Sequence, residues 1–200
     1  MRLLIATKNA HKTAEIAAIL GDGWQVEDLT SHPAIEAPEE TGATFAENAA
    51  IKAVAASQLF PGLVLADDSG LEVDALGGAP GVISARYAGP GATDADNRAR
   101  LLRELRAFPS PARFHCAMVV AREGAVLGTF SGAVEGGIIG AERGAGGFGY
   151  DILFVPDGFA QTFGELPAAT KNGLSHRARA LGQAREFLRK LVDAQSATRR

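Results

Sequence analysis

Apolar positions along the chain fall into short unbroken runs and into helical stripes. Leu3, Leu4, Ile5 and Ala6 form a run that stops at Thr7, Lys8 and Asn9, the pattern of a buried strand entering a loop. From Lys12 onward, Ile16, Ile19 and Leu20 share one helical face until Gly21 and Gly23 interrupt it. Trp24 to Leu29 reads as a second strand. Thr44 and Glu47 stand at capping-box spacing ahead of a helix that runs to Ser57. After Pro61-Gly62 breaks the chain, Leu63-Val64-Leu65-Ala66 reads as a buried strand leading directly into Asp67-Asp68-Ser69-Gly70.

The second half changes character. Gly77 to Gly81 is a loop, and Asp94 to Leu105 predicts a helix capped by Thr93 or Asp94. Phe114 to Ala121 and Ala125 to Val134 are β-rich runs on either side of Arg122-Glu123-Gly124, which predicts a hairpin. A glycine-rich stretch from Gly136 to Gly149 precedes a strand over Ile152-Leu153-Phe154-Val155, ended by Pro156. Ser175 is placed to cap a last helix with Ala178, Leu181, Leu188, Leu191 and Val192 as its apolar stripe, and the tail from Gln195 to Arg200 is expected to fray. Strands separated by helices predict a parallel core, and the hairpin adds antiparallel strands. The fold class expected is therefore α/β with a mixed sheet and flanking helices.

Composition narrows the functional classes. Of 200 residues, 46% are hydrophobic and 22% charged, a globular balance long enough for one domain. Glycine contributes 24 residues, an excess that points to tight turns or to backbone approached closely by a ligand. The single Cys116 excludes an intrachain disulfide and a multi-cysteine zinc site, and its apolar β-run makes it a packing residue. No apolar run approaches the ~18 residues of a membrane span, and Lys8, Asn9, His11 and Lys12 end the first run too early for a signal peptide. A cytoplasmic protein with no membrane and no nucleic-acid partner is expected. A net charge of −3 offers no field for nucleic acid, so a polyanionic ligand must be met by local cations or a metal.

Three polar clusters stand where strands are expected to end. The first is Thr7-Lys8-Asn9-Ala10-His11-Lys12. A helix N-terminus carrying two lysines and a hydroxyl is a credible polyphosphate cradle, although the chain contains no Gly-Lys pair and so no Walker loop. A solvated loop is the alternative. The second is Asp67-Asp68-Ser69-Gly70 with Glu39-Glu40 upstream. Adjacent carboxylates after an apolar run call for a stabilising charge, and a hard divalent cation is the simplest. Neighbours on a strand point to opposite faces, so one of the pair reaches a given metal; an Asx-turn is the alternative. The third, Gly144 to Asp151, contains G-x-G-x-x-G. A dinucleotide fingerprint must follow a strand and open a helix, whereas here a β-like run follows. What remains is flexible backbone presenting Phe148 and Tyr150, on one face if extended and able to stack on a planar base. Core aromatics in a glycine-rich turn are the alternative. Lys171, Ser175, His176 and Arg177 downstream offer donors for carbonyl or phosphate oxygens. His32 and His115 read as structural, and the Arg98 to Arg106 face as a solvated helix surface.

Taken in order, these segments resemble the inosine triphosphate pyrophosphatase (HAM1-like) family. The matching stretches are Ala-Thr-Lys-Asn-Ala-His-Lys (6–12), Pro-Glu-Glu-Thr-Gly (38–42), Phe-Ala-Glu-Asn-Ala (45–49) and Ala-Asp-Asp-Ser-Gly-Leu (66–71). Leu-Gly-Gly-Ala-Pro-Gly (76–81), Ser-Ala-Arg-Tyr (84–87), Gly-Gly-Phe-Gly-Tyr-Asp (146–151) and Leu-Ser-His-Arg (174–177) follow. Two positions depart from the family pattern: Lys8 stands where glycine is common, and Thr170 where glutamate is common before Lys171. The resemblance implies one domain over 1–200 with a bent mixed sheet, two lobes around a central cleft, and a homodimer. It implies Mg²⁺-dependent hydrolysis of ITP, dITP or XTP to the monophosphate and pyrophosphate. By the same resemblance, Thr7, Lys8, Asn9, Ala10, His11 and Lys12 bind the triphosphate and Ser69 contacts phosphate. Glu39 and Asp68 hold Mg²⁺, with Asp68 also the catalytic base. Phe148, Gly149, Tyr150, Asp151, Lys171, His176 and Arg177 surround base and sugar. A nucleotide-sensing dimer without catalysis, or a pyrophosphatase for modified pyrimidine or methylated nucleotides, are the alternatives.

Overall fold

A computed structural model describes residues 1–198, leaving aside the side chains of residue 192 and residues 194–198. Strands β1 (Arg2–Ile5), β2 (Gln25–Asp28), β3 (Leu63–Val73), β4 (Ser110–Arg122), β5 (Ala125–Ile138) and β6 (Phe154–Pro156) form one sheet in the order β2-β1-β3-β4-β5-β6. Helices α1 (Ala10–Leu20), α2 (Phe45–Leu59), α3 (Asp94–Glu104), α4 (Ala168–Leu174) and α5 (His176–Thr198) flank it. β1 pairs in parallel with β2 and β3, while β5 and β6 are antiparallel, so the sheet is mixed. The chain divides into two compact units. The first comprises Met1–Asp68, Ala117–Gly132 and the chain from Arg177 onward; the second comprises Ser69–Cys116 and Ala133–His176.

The first unit has a core of Leu4, Val64, Ala66, Val119 and Ala121 from the strands and Ala6 just past β1, with Ala49, Ala53, Ala56 and Phe60 from α2 and its end. Three alanines on one face of α2 let the helix lie close to the strands. The larger side chains supply most of the burial free energy, about 1.5–3 kcal/mol each. Thr44 and Glu47 form the expected capping box on α2. The second unit has an aromatic core. Phe114 meets Phe154 edge-on at 4.8 Å and stacks on His176 at 4.8 Å, with Phe163, Tyr150, Leu71 and Val73 in the same cluster.

Several boundaries differ from the pattern-based expectation. α1 begins at Ala10 rather than Lys12, because Asn9 caps it by accepting from the His11 and Lys12 amides. β3 does not end at Ala66; it continues through Asp67-Asp68-Ser69-Gly70 to Val73, with Gly70, Leu71 and Val73 all buried. The carboxylates interrupt the apolar pattern but not the strand, since cations of the fold neutralise them. β4 begins at Ser110 and β5 runs to Ile138, joined by Glu123 and Gly124, both at positive φ as a twisted two-residue hairpin turn requires. Gly136 lies inside β5 because a Cβ there would stand 2.2 Å from the Val155 carbonyl oxygen of β6. α4 is absent from the sequence expectation: of its seven residues only Leu174 is large and apolar, which gives no apolar stripe. Ser175 ends α4, and α5 starts at His176. Helix α5 extends through Gln195 to Thr198, where fraying is expected from sequence, while Arg199, Arg200 and the Val192 side chain lie outside the described residues.

Candidate active site

The first unit gathers an anion-and-cation cluster around the centre of β3. Because adjacent strand residues face opposite ways, Asp67 and Asp68 acquire different partners. Asp67, essentially without exposure, accepts from Arg177 at 3.1 and 3.4 Å and pairs with Lys12 Nζ at 2.5 Å. Arg177 is equally buried, and its Nη1 donates to Glu15 at 2.5 Å. Asp68 Oδ1 accepts from Lys52 Nζ at 2.7 Å, and Asp68 Oδ2 accepts from Asn48 Nδ2 at a long 3.4 Å. The Lys52 ammonium also donates to the Asp67 carbonyl at 2.9 Å and to Glu40 Oε1 at 2.8 Å. Each of its three N–H bonds thus meets an oxygen, as a buried ammonium requires.

Burial pushes the Asp68 carboxyl above its usual range; Lys52 and Lys12 oppose the rise and Glu40 adds to it. Burial acts on Lys52 in the opposite sense, but Asp68 and Glu40 more than offset it, so its pKa rises and the ammonium stays charged. The remaining capacity sits on Asp68 Oδ2, whose one long hydrogen bond leaves lone pairs for a water or a metal.

Close by in sequence, the β1–α1 turn carries the first predicted cluster. Asn9 N–H donates to Thr7 Oγ1 at 3.1 Å, and Asn9 Oδ1 takes the His11 amide at 3.0 Å and the Lys12 amide at 3.3 Å. Lys8, Asn9, Ala10 and His11 are exposed, with Thr7 and Lys12 half-buried. Glu39 is exposed, and its neighbour Glu40 is the carboxylate tied through Lys52 to Asp68. Hard oxygen donors are therefore present, but among the described residues no three His, Cys, Asp or Glu side chains converge as a self-sufficient metal cage. This donor set suits Mg²⁺, which binds through one or two carboxylates and takes its remaining ligands from substrate phosphates and water.

The second unit holds the aromatic and base-reading candidates. The loop from Gly146 to Asp151 folds back on itself rather than running extended: Asp151 Oδ2 accepts from the Phe148 amide at 2.8 Å and from Lys171 Nζ at 2.6 Å. Gly147 (φ 73°) permits this, since a Cβ there would stand 2.1 Å from Asp151 Oδ2. Lys171 lies 5.1 Å from the centre of the Phe148 ring, a cation–π pair built on α4. Phe148 and Tyr150 do not share one face. Phe148 is half-buried; Tyr150 is in the core, and its hydroxyl, raised well above its ordinary pKa by burial, donates to the Ser84 carbonyl at 2.9 Å. His176 is buried against Phe114, and Ser69 is half-buried on β3.

Lys52 and Asn48 carry a signal that sequence reasoning passed over. Both stand on the buried stripe of α2 with Phe45, Ala49, Ala53 and Ala56, where a lysine demands buried counter-charges. The Arg98 to Arg106 face is solvated only in part: Arg103 and Arg106 are exposed as expected, while Arg98 and Arg100 fold back. Arg98 donates to the Gly149 carbonyl at 2.9 Å, and Arg100 lies 4.3 Å over the Tyr87 ring, because both long stems reach back over loops of the same unit. His32 is structural as read: it bonds Glu27 at 2.8 Å and meets Phe60 edge-on. Cys116 is fully buried.

Residues 3–187 match the Ham1 family profile. A dITP/XTP pyrophosphatase of Halalkalibacterium halodurans is 49% identical over 92% of this chain and 97% of its own. One from Geobacillus kaustophilus is 48% identical over 98% of each chain. Among solved structures, a HAM1 protein from Coxiella burnetii superposes with a TM-score of 0.84 at 38% identity, covering 95% of this chain and 99% of that one. A nucleoside-triphosphatase / dITP/XTP pyrophosphatase from Mycobacterium abscessus gives 0.72 at 40% identity over 92% and 98%. With the profile spanning nearly all of its length and both sheet and helices shared, this chain belongs to the Ham1 family.

Proposed function

We propose that this protein hydrolyses non-canonical purine nucleoside triphosphates — dITP, ITP and XTP — to the monophosphate and pyrophosphate. The observation that carries the reading is the buried Asp68 carboxylate, neutralised on Oδ1 by Lys52 and under-used on Oδ2. The names of the curated relatives support the substrate class. Cleaving an α–β phosphoanhydride needs a positioned water, charge neutralisation and a stabilised leaving group. Asp68 Oδ2 takes the proton of the attacking water while Lys52 holds the carboxylate in place. Lys8, Lys12 and the N-terminus of α1 meet the phosphates, with Thr7, Asn9, Ala10, His11 and Ser69 around them. Lys12 also keeps its tie to Asp67. Glu39 and Asp68 would hold Mg²⁺ together with the phosphates, and the ion would supply further charge neutralisation when bound.

Base selection belongs to the second-unit residues. Hypoxanthine and xanthine carry a carbonyl at C6 where adenine carries an amino group. Lys171 is the donor for that oxygen, beneath the Phe148 ring and anchored by Asp151; Gly149 supplies backbone and Tyr150 and His176 hold the pocket wall. Adenine leaves such a buried donor unpaired, a difference able to support discrimination of roughly 10⁴ or more. Arg177, committed to Asp67 and Glu15, positions the carboxylates rather than reading the base. The same reading has the enzyme working as a cytoplasmic homodimer.

The test is product analysis with Mg²⁺ and dITP or XTP. Monophosphate and pyrophosphate in equal amounts are expected, and orthophosphate as first product overturns the reading. Asp68→Asn is expected to lose roughly 10³-fold or more in turnover with an unchanged circular dichroism spectrum.

A further inference from the structure

The loop proposed to hold the base is gripped from outside by α3. Asp94 Oδ2 accepts from the Gly149 amide at 2.7 Å, and Arg98 Nη1 donates to the Gly149 carbonyl at 2.9 Å. The two residues are one helical turn apart on α3 and so share a face. Together they satisfy both polar groups of a single residue. Arg98 is itself fixed, since its Nε donates to Glu142 at 2.6 Å. Gly149 sits at φ 60°, a left-handed conformation that glycine adopts freely and that the two bonds hold in one orientation. Asp94 is not occupied with starting the helix: Thr93 and Asp96 form the capping box by themselves. An exposed carboxylate at the first helical position is therefore spent on a residue 55 positions away.

We infer that Asp94 and Arg98 are positioning residues for base recognition, acting through the Gly149 peptide to hold Phe148 and the Asp151–Lys171 pair in register. This rests on the function proposed above. Phe148 and Asp151 flank Gly149 at one and two residues, so rotation of that peptide displaces both. Phosphate chemistry at Asp68 is served by other residues.

The experiment is kinetic and structural at once. For Asp94→Ala, KM for dITP is expected to rise about five- to tenfold with kcat changed less than twofold. Asp94→Asn, which keeps an acceptor oxygen, recovers most of the loss. Asp96→Ala serves as the comparison: it breaks the capping box and lowers Tm without moving KM. Amide hydrogen exchange over 146–151 is expected to quicken in Asp94→Ala and Arg98→Ala but not in Asp96→Ala, and this is read without substrate. Unchanged exchange in both clamp variants overturns the inference whatever the activity. Unchanged KM in Asp94→Ala, while the wild-type protein hydrolyses dITP, overturns it and leaves the function standing. Absence of hydrolysis by the wild-type protein removes the function and, with it, the inference.

Discussion

Asp68 has two oxygens with different environments, and most of the proposed chemistry follows from that asymmetry. Lys52 is the residue that creates it. Lys52→Met removes the ammonium that binds Asp68, Glu40 and the Asp67 carbonyl together. Breaking such a buried pair costs about 3–5 kcal/mol. A large fall in Tm and at least a hundredfold fall in kcat are expected, measured by thermal melts and pyrophosphate release. The pH dependence has a definite sign. Asp68 must be ionised to act as a base, and burial raises its pKa, so the acid limb of kcat/KM lies above the ordinary aspartate value of 3.8. A group whose folded pKa is raised favours the folded state only while protonated. Its contribution is full below the unfolded value and is lost as pH rises through the folded one. Asp68→Asn removes that cost of ionisation but leaves Lys52 with Glu40 as its carboxylate partner, so at pH 7 its Tm is expected to fall by less than that of Lys52→Met, read in parallel thermal melts.

Among the elements, α2 decides the site because one face serves two purposes. Phe45, Ala49, Ala53 and Ala56 seat the helix, and Asn48 and Lys52 on the same side reach Asp68. The start of the helix is fixed locally, with Thr44 Oγ1 accepting the Glu47 amide at 3.2 Å while Glu47 Oε2 takes the Ala43 and Thr44 amides at 2.7 and 3.0 Å. Thr44→Ala is expected to cost about 1 kcal/mol, read as a Tm lower by roughly 2–4 °C, with kcat reduced less than in Lys52→Met. The capping box was legible from Thr44 and Glu47 alone. The continuation of β3 through Asp67 and Asp68 was not, because two adjacent carboxylates read as a strand end until their counter-ions are known. Those counter-ions come from α1, α2 and α5, at separations of up to 110 residues.

For the molecule as a whole, a chain of net charge −3 that is proposed to hold a polyanion must meet it with local cations or a metal. Because among the described residues the carboxylates do not by themselves complete a cage, a metal is expected to travel with the nucleotide. A chelator should then abolish turnover while leaving the Tm of the nucleotide-free protein within about 1 °C, and added Mg²⁺ should restore the rate; a chelator-induced drop in Tm of several degrees would instead indicate a resident structural ion.

The sequence by itself determined most of the strands and helices and the caps of α2 and α3, though not α4 or the full length of β3, because those signals are local: period, propensity and spacing act over a few residues. It also determined the family, through the order of short motifs along nearly the full chain. Tertiary structure alone decided the partners. Arg177 lies against Asp67 and Glu15, Lys52 crosses from a helix to bind Asp68, Tyr150 withdraws into the core, and Asp94 and Arg98 close on Gly149. Charge pairing and burial depend on distances between elements far apart in the chain, and no periodicity in the sequence encodes those distances.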